Sequence, residues 1–551
     1  MAIAKLFACS LLLVLASLAL TELPCLSVEA HASLRPVQST SKQERVAALV
    51  AEGVAALERN DAATAKASFE RALEIDRNNT DAHTYLGVLA DRAGNLEEAE
   101  RHFSAAAIAA PLSPQARNNH GAILLRMGKS AQAAAQFEIS LRLDKNQPSA
   151  LVNLAQIRFA TGTPESLRQS QELFERAWSI APDADIAHSL IVIALRLNDN
   201  ASASRYFRSY IEQVNATTAV EFNPSSRAEL GAALLAAGLV AEAIEELSAA
   251  SSAEPNNVKT LLLLARAYMA RKDIPSAGRT LEAAVARGLE AAPIYAALAD
   301  VYEQSGHIEN AIPAMRLAIE RDPQNEFYRF RYGMLLTDTK APAAAVMRLQ
   351  EALQTFPRSQ KLWFALGIAY FSDHKNNEAA RSFEQALELD TKFAPALAYL
   401  GMMQAEQGHY AEAVTFYERA IALDERLAIA HYLAADALLK ETSADLARAL
   451  QHLLRAISLD QSFAPAQLAL GKLYQRLNRF EDAARQFEQV IKLAPNLAEA
   501  HYQLGRIYTR LKRAQEAQTA LATFKRLSEE QKEQAQTERQ EIVRRLANVR
   551  F

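Results

Sequence analysis

Apolar residues along this chain return three and four positions apart, and the pattern restarts every 34 residues. From Gln360 to Phe393, Trp363, Leu366, Gly367 and Tyr370 share one face of a predicted first helix. A polar turn follows, and Ala379, Phe383 and Ala386 share one face of a second. The small residues Gly367 and Ala379 let two backbones approach, while Trp363, Tyr370 and Phe383 fill the space that remains. Such a hairpin has apolar surface on two sides and can bury it only against further copies of itself.

The period holds along most of the chain. Gly53, Gly87 and Gly121 stand 34 residues apart, as do Gly333, Gly367 and Gly401, and again Gly471 and Gly505. A second series, Gly94, Gly128, Gly238, Gly306 and Gly408, falls where each first helix should stop, a place for left-handed backbone. Asp76, Asp144, Asp390 and Asp424 recur beside the turn into the next unit, so they read as part of the repeat. The stretch from Thr80 has Leu86-Gly87, Ala99, Phe103, Ala106 and Pro111, and that from Ala464 has Gly471, Tyr474, Ala483, Phe487 and Pro495. The stretch from Ala292 keeps Tyr302, Ala311, Ala318 and Pro323 but has Ala299 for the glycine.

This pattern resembles the tetratricopeptide repeat, which sets Trp, Leu-Gly, Tyr, Ala, Phe, Ala and Pro at these offsets in 34 residues. The resemblance implies an all-α fold, a right-handed α-solenoid superhelix of antiparallel helix pairs. About fourteen units fit between Val46 and Lys525. Departures mark the exceptions. Spacing three residues too long between Ala155 and Phe174 places an insertion around Thr161 to Arg168. Asn215 to Ser226 reads as a connector, and a two-residue excess lies near Glu441 to Asp445. The organisation expected is a signal peptide over 1–32, a linker over 33–45 and an N-terminal array over 46–182. A degenerate repeat and connector over 183–223, a C-terminal array over 224–525 and a capping helix or tail over 526–551 complete it.

The bulk properties narrow the choice of function. Half the residues are hydrophobic, which supplies the buried faces of a helical array. The net charge of −4 gives no overall basic field, so nucleic acid is not an expected partner. Lys5, the apolar run Leu6 to Leu20 and Ala30-His31-Ala32 before Ser33 have the form of a cleaved secretory leader. The expected setting is therefore periplasmic or secreted, with membrane contact only through a partner or an uncleaved leader. Both cysteines, Cys9 and Cys25, fall inside that leader, so a mature chain would have no thiolate for a disulfide or a metal.

In the family, the first helix of each unit lines a groove in which extended peptides lie. Carried onto this chain, the groove positions include Phe330, Met334, Phe364, Ile368, Phe371, Met402 and Tyr432, an apolar strip that would dock a hydrophobic segment or be buried by local curvature. Asn119 and Asn153 share the sixth position of successive units, and the solenoid-bearing glycosyltransferases use a longer ladder of this kind to grip peptide backbone. Lys472, Arg476, Arg506 and Arg510 match between the last two units and would form a basic patch for an acidic peptide or carboxylate, unless neighbouring acids neutralise it. His83, His188, His431 and His501 occupy the slot that Trp363 fills, and their separation along the array points to half-buried packing rather than a shared metal.

No metalloprotease, nucleotide-binding, phosphate-loop or nucleophile-elbow motif is present, so no catalytic residue, cofactor or small-molecule substrate is expected. The resulting reading is a non-catalytic scaffold that binds protein or peptide. The rivals are a structural subunit of an envelope complex for polysaccharide export or outer-membrane assembly, and the repeat arm of a glycosyltransferase.

Overall fold

The computed structural model describes residues 41–216, 223–339, 341–441 and 444–530. The expected leader, most of the linker, the middle of the connector and the tail beyond 530 lie outside the described residues. Among the described residues there are 28 helices and no strand, arranged as fourteen consecutive hairpins. Contacts divide the chain into two compact units, one ending at Thr280 and the other starting at Leu281.

Local chemistry sets each hairpin. In the first unit, helix Thr80–Arg92 begins at Asn79, whose side chain accepts from the Ala82 amide at 2.9 Å. It ends at Gly94, which has φ +78°. There the Asn95 amide reaches back to the Ala90 carbonyl at 2.9 Å, satisfying an acceptor the helix leaves open. The other four glycines expected at this position are left-handed too. The recurring aspartates close the other turn: Asp76, Asp144, Asp390 and Asp424 each accept from the amide two residues on.

The glycine inside the first helix has a different task. A Cβ at Gly53, Gly87 or Gly121 would stand under 3 Å from the ring of Phe69, Phe103 or Phe137 in the paired helix. In the second unit Gly367 and Gly471 meet Phe383 and Phe487 in the same way. The aromatic ring thus lies directly on backbone, and the alanines flanking it, such as Ala379 and Ala386, are fully buried.

Irregular spacings are absorbed with little change. The three extra residues before Phe174 lengthen the second helix, Pro164–Ile180, to 17 residues against 14 for Leu96–Ala109. The excess near Glu441 lies in the turn between helices Ala428–Lys440 and Leu446–Leu459.

Candidate functional site

The apolar strip expected to dock a segment is buried inside the second unit. Phe364 and Ile368 have no exposed area, Phe371 has 2%, and Phe330, Met334 and Met402 have 8% or less. All six belong to one hydrophobic cluster. The Phe364 ring stands edge-on to Phe393 at 4.9 Å and to Tyr399 at 5.5 Å. These residues are therefore core, and the expectation that they present an open surface is corrected. The cause is close packing between successive first helices. First helices Glu326–Asp338 and Gln360–Ser372 pack directly on each other, and helix Ala394–Glu406 is buried on every side from Ala394 to Met403. Tyr432 is half-buried, with its ring against Phe463 at 5.1 Å.

In the first unit two successive first helices have asparagine at the sixth position. Asn119 lies half-buried on helix Pro114–Arg126, and Asn153 half-buried on helix Pro148–Thr161. Gln115 Nε2 donates to Asn119 Oδ1 at 2.9 Å, and Gln147 Nε2 holds Gln115 Oε1 at 3.0 Å. Among the described residues neither the Asn119 Nδ2 nor the Asn153 amide has a partner, so both keep hydrogen-bonding capacity for a ligand. Asn118, which sequence reasoning passed over, braces the same face. Its Nδ2 donates to Ser149 Oγ at 3.3 Å, while its enclosed Oδ1 has no partner. Its place in the fifth, groove-lining position was the available signal.

The basic residues of the last two hairpins have different fates. Lys472 is neutralised by Glu499 at 2.7 Å. Arg476, Arg506 and Arg510 are exposed and have no carboxylate partner among the described residues. Arg510 and Arg506 lie over the rings of Phe480 and Tyr502, at 5.3 and 5.6 Å.

The histidines prove to be hydrogen-bond donors to the preceding turn. Trp363 Nε1 donates to the Pro357 carbonyl at 3.0 Å, six residues back. In the same slot His83, His431 and His501 turn Nε2 to the carbonyls of Arg77, Glu425 and Pro495, at 2.9, 3.3 and 2.8 Å. Gln467 Nε2 makes the equivalent bond to Gln461 at 2.7 Å. His188 differs: it lies against Tyr210 with centroids 6.3 Å apart, and burial pushes its imidazole down to about 4. Sequence reading missed His102 and His452, which contact His83 and His431. The signal was their shared register once the excess near Glu441 is removed.

Among the described residues, no group of three or more histidine, cysteine or acidic side chains is arranged to hold a metal, and no helix is long and apolar enough to cross a membrane.

Comparison with known proteins agrees with the repeat read from the sequence. Family models described as tetratricopeptide repeat match residues 56–120 and 234–301, then 119–166, 189–257 and 468–529, then 292–325, and finally 360–393 and 394–427. Anaphase-promoting complex subunit 3 of Schizosaccharomyces pombe is 24% identical over 190 residues, covering 34% of this chain and 28% of that protein. The UDP-N-acetylglucosamine–peptide N-acetylglucosaminyltransferase SPINDLY of Hordeum vulgare is 28% identical over 169 residues, covering 29% of this chain and 17% of that protein. The chain thus spans less than a third of either relative. Among solved structures, yeast Tom70 aligns over 85% of this chain and 94% of its own, at 15% identity and a TM-score of 0.39.

Proposed function

Because the chain belongs to the tetratricopeptide repeat family, whose members are generally scaffolds rather than catalysts, we propose that it binds an extended peptide segment of a partner protein outside the cytoplasm, without chemistry of its own. One observation supports this reading above others. The side chains of Asn119 and Asn153 stand in the same register of successive hairpins with hydrogen-bonding groups unspent. An amide side chain offers a donor and an acceptor, so it pairs with any peptide unit and grips backbone whatever the sequence. The buried state of Phe364 and Ile368 turns the reading toward the first unit and away from an apolar groove in the second. Arg476, Arg506 and Arg510 would add a separate contact for acidic residues. The extracellular setting rests on the leader alone, and N-terminal sequencing of the exported protein should begin at Ser33.

The binding test selects peptides from a random library on the full chain, then measures their affinity for the double variant Asn119→Ala, Asn153→Ala. Loss of two backbone contacts should weaken binding by about tenfold or more. N-methylation of the peptide backbone should have a similar effect. Affinity unchanged by both would remove this face from the reading.

A further inference from the structure

Two histidine pairs, one in each unit, are built alike, and the scaffold reading uses neither. His83 on helix Thr80–Arg92 faces His102 on helix Leu96–Ala109, with their Nδ1 atoms 3.0 Å apart. His431 on helix Ala428–Lys440 faces His452 on helix Leu446–Leu459, again with Nδ1 atoms 3.0 Å apart. In each pair the first histidine bonds a backbone carbonyl through Nε2, Arg77 at 2.9 Å and Glu425 at 3.3 Å. A carbonyl only accepts, so Nε2 holds the hydrogen and the neutral ring aims its Nδ1 lone pair at the partner. That is the arrangement in which metal-binding imidazoles are held, oriented by a bond from the other nitrogen. Without a metal the second histidine's Nδ1 donates to that lone pair, and it matches the first by moving its hydrogen to Nε2. In the second pair Glu418 Oε1 lies 3.9 Å from His452 Nε2, so a carboxylate favours the hydrogen on that side.

The geometry points to each pair as a two-nitrogen chelate for a divalent transition metal that prefers right-angled neighbours, Cu2+ before others. Nitrogens 3.0 Å apart, each about 2.0–2.1 Å from a metal, subtend about 95° at it. That angle suits adjacent positions of a square-planar or octahedral ion and is tight for a tetrahedral one. Each ring must turn so that its lone pair swings by about 40° off the line joining the two nitrogens, toward one point between them. No third ligating side chain completes either set among the described residues, so water fills the remaining positions. Beside the first pair an open surface recess, lined in part by Glu70, Glu74, Arg77 and His102, gives that water access. His431 is more buried than His83, so the first pair is the more accessible site.

The test is calorimetric titration of the untagged full chain with CuCl2 at neutral pH, with electron paramagnetic resonance to report nitrogen ligation. Two equivalents should bind with nitrogen ligands. His102→Gln should remove one and His452→Gln the other, each lowering affinity at its site at least tenfold. Glutamine keeps a donor for the facing Nδ1, and unchanged helical circular dichroism would show that the fold survives. His374→Gln, outside both pairs, should leave both equivalents. Copper binding that persists in the His102→Gln, His452→Gln double variant, or no binding to the parent chain, would overturn the proposal.

Discussion

Replacing Gly367 by alanine probes the contact on which each hairpin is built. A Cβ at Gly367 would stand 2.5 Å from Cε1 of Phe383 and 2.6 Å from its Cδ1. Carbon atoms in good contact are about 3.5–4.0 Å apart, so ring and backbone must separate by about 1 Å. Phe383 has nowhere to go: it is fully buried, stacked on Tyr399 at 5.0 Å and 5.8 Å from Phe364. Overpacking of this kind costs about 1–3 kcal/mol. The better helix propensity of alanine offsets about 1 kcal/mol, leaving a net loss of up to about 2 kcal/mol.

Gly505 is the natural comparison. Its Cβ would meet Leu521 Cγ at 2.6 Å, but Leu521 is 37% exposed and can rotate outward. There the clash and the propensity gain should nearly cancel. Urea unfolding of the full chain, followed by circular dichroism, with hydrogen exchange to locate the change, should show the hairpin 360–389 weakened by Gly367→Ala. Gly505→Ala should leave the midpoint close to the parent. Adding Phe383→Leu should recover part of the loss, because Ala435 and Leu453 already occupy these two register positions, both fully buried in the same cluster. Equal midpoints for the two glycine variants would refute the reasoning.

Two further predictions concern buried charge in the first unit. Arg227 donates through Nε and Nη2 to both oxygens of fully buried Glu246, at 3.0 and 2.9 Å. Arg227→Met strands that carboxylate and should cost about 3–5 kcal/mol in urea unfolding, most of it recovered by adding Glu246→Leu. Equal stability of the single and double variants would count against the pair. The folded His188 stays neutral down to about pH 4, whereas an unfolded histidine takes its proton near 6.5. Between those values the unfolded chain binds more protons, so this contribution is full above pH 6.5 and is lost as pH falls toward 4, up to about 3 kcal/mol. The urea midpoint should drop less between pH 7.5 and 5 in His188→Leu, and a parallel drop would refute the assignment.

What the sequence discloses is what repeats. The glycine on which Phe383 lies, the left-handed residue that stops a helix at Gly94 and the aspartate that closes a turn at Asp76 are each fixed by neighbours within one hairpin. Those positions were legible because their cause is local. Phe364 and Met402 were not, because their burial depends on how closely successive first helices approach, and no position in the 34-residue pattern encodes that packing. The slot shared by Trp363, His83 and His501 was recognisable as a register position. Its purpose was hidden, since the common element is an N–H and not a size or a polarity.

The crowded helix Ala394–Glu406 has a consequence for how the second unit comes apart. An array joined only through adjacent faces frays from its ends, one hairpin at a time. Here Tyr399 meets Phe364, Phe371 and Phe383 of the preceding hairpin at once, so neither hairpin can open and leave the other's surface intact. Fraying that starts at either end of the unit must halt at this knot, which gives an otherwise linear stack something like a keystone.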